Sequence, residues 1–262
     1  MIRIVLDKWV PYRSENATVQ LRIFGFPHAA GNAFSYRSWR KYLPPDIDFC
    51  PVELPGHGQR YDEMPAADLG SLAAALQIAL EPLLTVPFAF FGHSIGACIA
   101  FEAARLLRAA DGTSAAHLFV SGRAAPGHAI ESRPIRSLSD QELMAALVRY
   151  GGTPAVVMER KELMAALLPI LRADLTLVES YRPAAGARLS CPITVFGGAD
   201  DTIDGAALQA WSEFTDESFR VRMFPGGHFY FSEAVEALIE EIVDDVRRSG
   251  TLFAPRPAGA VA

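Results

Sequence analysis

The strongest constraint on this chain is a rhythm. Six short runs rich in β-branched and aromatic residues occur at Val19–Phe24, Ile47–Val52, Val86–Phe91, His117–Ser121, Ile193–Phe196 and Phe219–Phe224, several of them apolar at consecutive positions. A strand with one wet face alternates apolar and polar residues. A strand that stays apolar is buried on both faces, the condition met in a parallel sheet covered by helices. Helix-like stretches fill the intervals, at Ala33–Tyr42, Leu69–Leu84, Ile95–Arg108, Ala206–Phe214 and Ser232–Arg248. The alternation predicts an α/β fold with a mostly parallel central sheet flanked by helices. At 262 residues the chain is expected to form a single domain.

One interval breaks the rhythm. From Gly122 to Tyr181 no strand pattern appears. Ser139-Asp140-Gln141-Glu142 reads as a capping box, followed by helical spacing through Leu143, Met144, Leu147 and Val148. A second helical region, Glu159 to Tyr181, repeats apolar residues at Leu163, Met164, Leu167, Leu168 and Leu171, with Pro169 a candidate kink. Residues 122–181 are therefore expected to form a helical lid over the sheet edge, with Met144 and Met164 among the residues that could shape a pocket. The alternative is a pair of ordinary packing helices. The tail Ala254–Ala262, rich in Pro, Gly and Ala, is expected to be disordered.

Several functions are excluded early. Cys50, Cys98 and Cys191 are odd in number and form no Cys-x-x-Cys pair, which argues against a disulfide framework or a zinc site and for reduced thiols in the cytoplasm. Met1 to Lys8 has no long apolar core and reads as a mature cytoplasmic start. The net charge is −6, and residues 200–245 hold twelve Asp/Glu against two Arg. The mild positive remainder is too weak for nucleic acid. Pro82 to Phe101 lacks any charged residue over the length of a membrane span, but its prolines and glycines cut it into a β run and a helical run.

Gly92-His93-Ser94-Ile95-Gly96 is a Gly-x-Ser-x-Gly nucleophile elbow. A hydrophobic strand ends directly before it and an apolar helix begins directly after, so the serine is expected on a tight turn at the carboxyl end of the sheet. A serine hydroxyl needs a base, and the base needs an acid to orient it. In this chain order, serine then acid then histidine, the base is His228, the one histidine after residue 128. The acid should follow the preceding strand, where Gly197-Gly198-Ala199-Asp200-Asp201 offers two aspartates. Gly-x-x-Asp spacing selects Asp200, with Asp201 as its rival and Asp204 behind. Backbone N–H donors for an oxyanion are expected at Ile95 and, in the loop after the first long strand, at Ala29. His57 and His128 read as turn residues, and His93 as a packed neighbour of Ser94. No metal and no cofactor enter this chemistry.

Taken together, Phe26-Pro27-His28-Ala29, Leu54-Pro55-Gly56-His57-Gly58-Gln59-Arg60, the elbow, Leu171-Arg172-Ala173-Asp174 and Gly226-Gly227-His228-Phe229 carry a family resemblance. The chain resembles the type II thioesterases, stand-alone α/β-hydrolases that serve polyketide synthases and nonribosomal peptide synthetases. Two departures are Ala30, where the family usually has the first of two glycines, and Ile95, where it often has methionine. The resemblance implies an acyl substrate on the phosphopantetheine arm of an acyl carrier or peptidyl carrier protein, release of stalled or wrong acyl units, and a monomer that binds neither nucleic acid nor membrane. Carrier proteins are acidic by the same resemblance, so Arg37, Arg40 and Lys41, after the oxyanion loop, are candidate contacts. A general carboxylesterase, a fatty-acid-synthase chain terminator and a non-catalytic interaction module are the alternatives.

Overall fold

Alternate residues of each central strand enter different cores. Phe88 and Phe90 pack on one face of the sheet with Phe24, Phe26 and Leu118, whereas Ala89 and Phe91 pack on the other with Ile23, Phe49 and Phe119. The computed structural model describes residues 2–16, 18–128, 134–151, 160–179, 181–184, 186 and 188–249. The tail 254–262 lies outside the described residues.

Six strands form one sheet: β1 (Leu21–Phe26), β2 (Ile47–Pro51), β3 (Phe88–His93), β4 (His117–Ser121), β5 (Ile193–Gly198) and β6 (Phe219–Phe224). Their order is β2-β1-β3-β4-β5-β6 and every pairing is parallel. All six expected strands are present. Three extend further toward their carboxyl ends than the apolar runs suggested, because small residues such as Gly25, Gly92, Gly197 and Gly198 continue the pairing without adding hydrophobicity.

The helices are α1 (Ile2–Trp9), α2 (Leu69–Leu80), α3 (Ile95–Asp111), α4 (Asp140–Tyr150), α5 (Lys161–Glu179), α6 (Gly205–Gln209) and α7 (Val235–Arg248). Leu72, Leu76 and Leu80 of α2 and Ile99 and Phe101 of α3 complete one core; Leu238, Ile239, Ile242 and Val246 of α7 close the other. The stretch 33–42 differs from the single helix expected: it forms two 3₁₀ turns, Ala33–Tyr36 and Trp39–Tyr42. Its apolar spacing of three, through Ala33, Tyr36 and Trp39, fits a 3₁₀ period as well as an α period. Helix α1 was not anticipated.

Within the 122–181 segment, α4 starts at the expected capping box, with Ser139 and Glu142 exchanging hydrogen bonds with each other's backbone. Helix α5 runs continuously through Pro169. The two helices share a separate small core of Leu143, Met164, Leu168 and Leu171. No helix among the described residues is long and apolar enough to cross a membrane.

The topology positions the site. After β1 the chain builds β2 on one side, then returns to place β3 on the other, so the loops leaving β1 and β3 diverge and leave a crevice at the carboxyl edge.

Candidate active site

Ser94 sits between β3 and α3 with φ 56° and ψ −118°, a conformation L-residues rarely adopt. The flanking glycines are what allow it. A Cβ on Gly92 would lie 2.2 Å from the Gly96 carbonyl oxygen, and one on Gly96 would lie 2.2 Å from the carbonyl oxygen of Phe26. The helix can therefore start hard against the sheet, and the Ser94 N–H donates to the Ser121 carbonyl at 2.8 Å.

His228 follows β6 and is buried, 8% exposed. Its Nδ1 lies 2.8 Å from Oδ2 of Asp201. Asp200, favoured on spacing, does not make this contact: its side chain is exposed, while that of Asp201 is 3% exposed. The backbone explains the correction. Ala199 and Asp200 donate to the Phe224 and Gly226 carbonyls, extending the pairing with β6, and the Asp201 N–H then turns back to Gly198. That turn directs Asp201 inward toward the histidine loop. Two consecutive glycines also made the spacing ambiguous by one, since Gly198 to Asp201 satisfies the same rule. Asp204 is occupied capping α6, accepting from the Ala207 N–H at 2.7 Å. Burial opposes ionisation of Asp201, but the hydrogen bond and charge of His228 and the N–H groups of Thr202 and Ile203 outweigh it and hold the carboxyl below its usual value.

His93 is fully buried, packed against the rings of His228, Phe229 and Phe231 as a neighbour of the elbow. Its Nδ1 meets Ser121 Oγ at 2.9 Å, and that hydroxyl meets Tyr230 at 2.6 Å. Gly122 makes room for both imidazoles: a Cβ there would lie 2.6 Å from His93 Cε1 and 3.3 Å from His228 Cε1. His28, packed edge-on against His93 and Phe229, is driven down to about 4 by burial and then by the charges of His228 and His57, so it is neutral.

Ser94, His228, His28 and Ala29 line one cavity of about 750 Å³, a volume suited to a small-molecule substituent. Its apolar wall comes from Cys98 one turn after Ser94, from Leu143 and Leu147 of α4, and from Leu167, Leu171 and Leu175 of α5. Met164 and Met144 do not line it; Met164 is buried in the core between the two helices and Met144 packs against that core. At Tyr181 the wall is tied to α3, the phenol donating to Glu102 at 2.6 Å. Burial and then Glu102 push the Tyr181 pKa up, so the phenol stays neutral.

In the loop after β1, Ala30 adopts φ 56°, a conformation that glycine takes without the cost an L-residue bears. The Ala30 N–H is taken up by Asp174 at 2.7 Å. No hydrogen bond among the described residues takes up the Ala29 N–H. His57 lies in a turn, as expected, but the sequence gives no sign that its side chain is 3% exposed and paired with Asp174. Of the basic residues expected to meet a partner, Arg40 is committed to the buried Asp48 at 3.1 Å, and Arg37 lies over the Phe34 ring.

The strand order, the crevice between β1 and β3 and the strained serine at its edge define an α/β-hydrolase. Within that class the chain belongs to the thioesterase family, whose domain model matches residues 21–246. It is 37% identical to the gramicidin S biosynthesis protein GrsT of Aneurinibacillus migulanus, over 92% of this chain and 95% of that protein. It is 33% identical to the medium-chain S-acyl fatty acid synthase thioesterase of Homo sapiens, over 88% of each. Among solved structures, the type II thioesterase BorB from the borrelidin biosynthetic cluster superposes with a TM-score of 0.83 at 37% identity, covering 92% of this chain and 98% of that one.

Proposed function

We propose that this protein hydrolyses acyl thioesters on the phosphopantetheine arm of acyl or peptidyl carrier proteins, as a cytoplasmic monomer that releases stalled or aberrant units during polyketide or nonribosomal peptide assembly. The observation that carries the reading is the likeness, over 92% of the chain, to GrsT and to BorB. The apolar cavity beside Ser94 supports it, being built for an acyl chain.

In this mechanism His228 removes the proton from Ser94 Oγ as the oxygen attacks the thioester carbonyl. Asp201 holds the imidazole in the tautomer with Nδ1–H and stabilises the imidazolium that forms. The oxyanion is received by the N–H groups of Ala29 and Ile95. Collapse expels the pantetheine sulfur, which takes the proton from the His228 imidazolium and departs as the thiol, leaving an acyl-enzyme and a neutral imidazole. A thiol, with a pKa of about 8.5, departs with less help from a protonated base than an amine requires. Water, deprotonated by His228, then attacks the acyl-enzyme, and the products are a carboxylic acid and regenerated Ser94. The 122–181 segment acts as a lid, closing the acyl cavity.

A second reading, chain termination for a fatty acid synthase, is favoured by the likeness to the human medium-chain enzyme. Release of free thiol from acyl-carrier protein, measured beside hydrolysis of a simple nitrophenyl ester, tests the proposal. Fast ester hydrolysis with an untouched carrier protein would make the protein a general carboxylesterase. Preference for medium-length fatty acyl chains over short acyl units on the carrier would favour the second reading.

A further inference from the structure

Two of the sequence motifs, around His57 and around Asp174, have no place in the triad, yet they meet beside it. Oδ2 of Asp174, on α5, accepts the Ala30 N–H at 2.7 Å and lies 2.8 Å from His57 Nε2. On the other side of the ring, His57 Nδ1 lies 2.9 Å from the Pro55 carbonyl oxygen. A carbonyl oxygen cannot donate, so Nδ1 carries a hydrogen. A carboxylate cannot donate either, so Nε2 carries the second, and the ring is an imidazolium. Both side chains are buried, 3% and 5% exposed, making this an internal ion pair. Burial opposes the positive charge, but the Asp174 hydrogen bond and charge, the Pro55 carbonyl and the charge of Glu53 outweigh it and raise the His57 pKa.

What the pair holds is the loop after β1. Ala30 is in the left-handed region, where an L-residue is disfavoured and nothing in its own side chain compensates. Fixing the Ala30 N–H fixes the peptide plane between Ala29 and Ala30, and so constrains the direction of the preceding N–H of Ala29. The far end of the loop is held separately, the Ala33 N–H donating to Glu53 at 3.2 Å.

We propose that Asp174 and His57 are positioning residues, an internal ion pair that aims the Ala29 N–H into the cavity and ties formation of the oxyanion hole to the seating of α5. The same helix supplies Leu167, Leu171 and Leu175 to the cavity wall. An acyl chain that draws α5 onto the cavity therefore also completes the donor set for the tetrahedral intermediate. The inference rests on the thioesterase reading above and on Ala29 as a donor.

The test uses the full chain and three variants, with an acyl-pantetheine thioester as substrate and an alkyl trifluoromethyl ketone as probe. The ketone forms a tetrahedral adduct on Ser94 whose oxygen needs the same donors as the transition state. Losing an oxyanion donor outright costs about 10²–10³ in kcat, so Asp174→Leu, which removes the one oxygen that meets both the Ala30 N–H and the imidazole, should lose about 30- to 100-fold with KM little changed. Ketone affinity should fall in parallel with kcat/KM. His57→Gln keeps an N–H donor toward Asp174 and should retain several-fold more activity than His57→Leu at matched melting temperature. The inference is overturned if Asp174→Leu keeps near wild-type kcat, if ketone affinity does not follow kcat/KM, or if Gln and Leu at position 57 are equivalent. Should Asp174→Leu fail to fold, the Gln and Leu pair at position 57 decides alone. Wild-type turnover of the thioester is measured first, and its absence would strike the thioesterase reading rather than the role of the pair.

Discussion

Asp201 Oδ2 and His228 Nδ1 lie 2.8 Å apart, while the adjacent Asp200 points to solvent. One residue of register in the loop after β5 thus separates the carboxylate that meets the His228 imidazole from one that faces solvent.

That difference predicts opposite outcomes for two conservative substitutions. Asp201→Asn leaves the imidazole in the wrong tautomer and should cost about 10³–10⁴ in kcat, as in other triads. Asp200→Asn should stay near wild type. Steady-state kinetics on the two variants ranks them, and the reverse ranking would return the role to Asp200.

The strained backbone at Ser94 separates activity from stability. Ser94→Ala and Ser94→Gly should both abolish turnover and labelling by a fluorophosphonate. Glycine adopts a positive φ freely, so Ser94→Gly should also recover part of the roughly 1–3 kcal/mol stored there. Thermal unfolding should find it melting above Ser94→Ala. Equal or inverted melting temperatures would show that the elbow stores no strain.

Cavity wall and inter-helix core can be told apart in the same way. Leu147→Phe and Leu175→Phe fill the cavity and should shorten the preferred acyl chain. Met164→Ala removes a buried side chain that does not line the cavity and should cost about 2–5 kcal/mol of stability with the chain-length preference unchanged. A chain-length series against each variant decides. A shifted preference in Met164→Ala alone would place the acyl chain between the helices instead.

Two buried histidines, His93 and His117, and the half-buried His28 make stability fall in mild acid. His28 is lowered to about 4 and His117 to about 3, and His93 is lowered well below its ordinary value, burial being the main cause in each. Below their unfolded pKa of about 6.5 the unfolded chain takes up protons that the folded one refuses, so stability rises with pH across this window and is lost as pH drops from about 6.5 toward 4. His57 has the opposite sign: its raised pKa contributes stability that is complete below about 6.5 and lost as pH rises through the folded value. Melting temperature against pH should show the acid slope, and His117→Asn, far from Ser94 at the amino end of β4, should flatten it. An unchanged slope in that variant would remove His117 from the account.

Charge at the cavity supplies the last prediction. Arg123, Arg136 and Arg182 line it, and the one carboxylate among the described lining residues, Glu179, accepts the Ile135 N–H at 2.6 Å. If an acidic carrier protein docks at this mouth, kcat/KM for it should fall with salt, since exposed charges are screened beyond about 8 Å at physiological ionic strength. The value for a small acyl-pantetheine should barely move. Charge reversal at Arg123 and Arg136 should flatten the salt dependence, whereas reversal at Arg37, which lies over Phe34, should do less. Equal salt responses for both substrates would show that recognition does not rest on charge.

Much of this molecule was legible in order along the chain. Six strands, of which only the edge strand β6 is left half-exposed, the helices between them, the elbow at Ser94 and the histidine after β6 follow from apolar runs, glycines and chain order, because those signals are local and the fold repeats them. The sequence by itself could not choose between Asp200 and Asp201, because the choice depends on which backbone N–H groups keep pairing with β6 before the chain turns inward. Nor could it separate Leu171, which reaches the cavity, from Met164, which does not, since both lie on the apolar face of one helix. His57 and Asp174 are 117 residues apart and meet only when α5 packs over the loop after β1. A buried ion pair leaves no periodic trace, so tertiary structure alone decided that these two residues belong together, and that they hold the loop on which the proposed oxyanion donor sits.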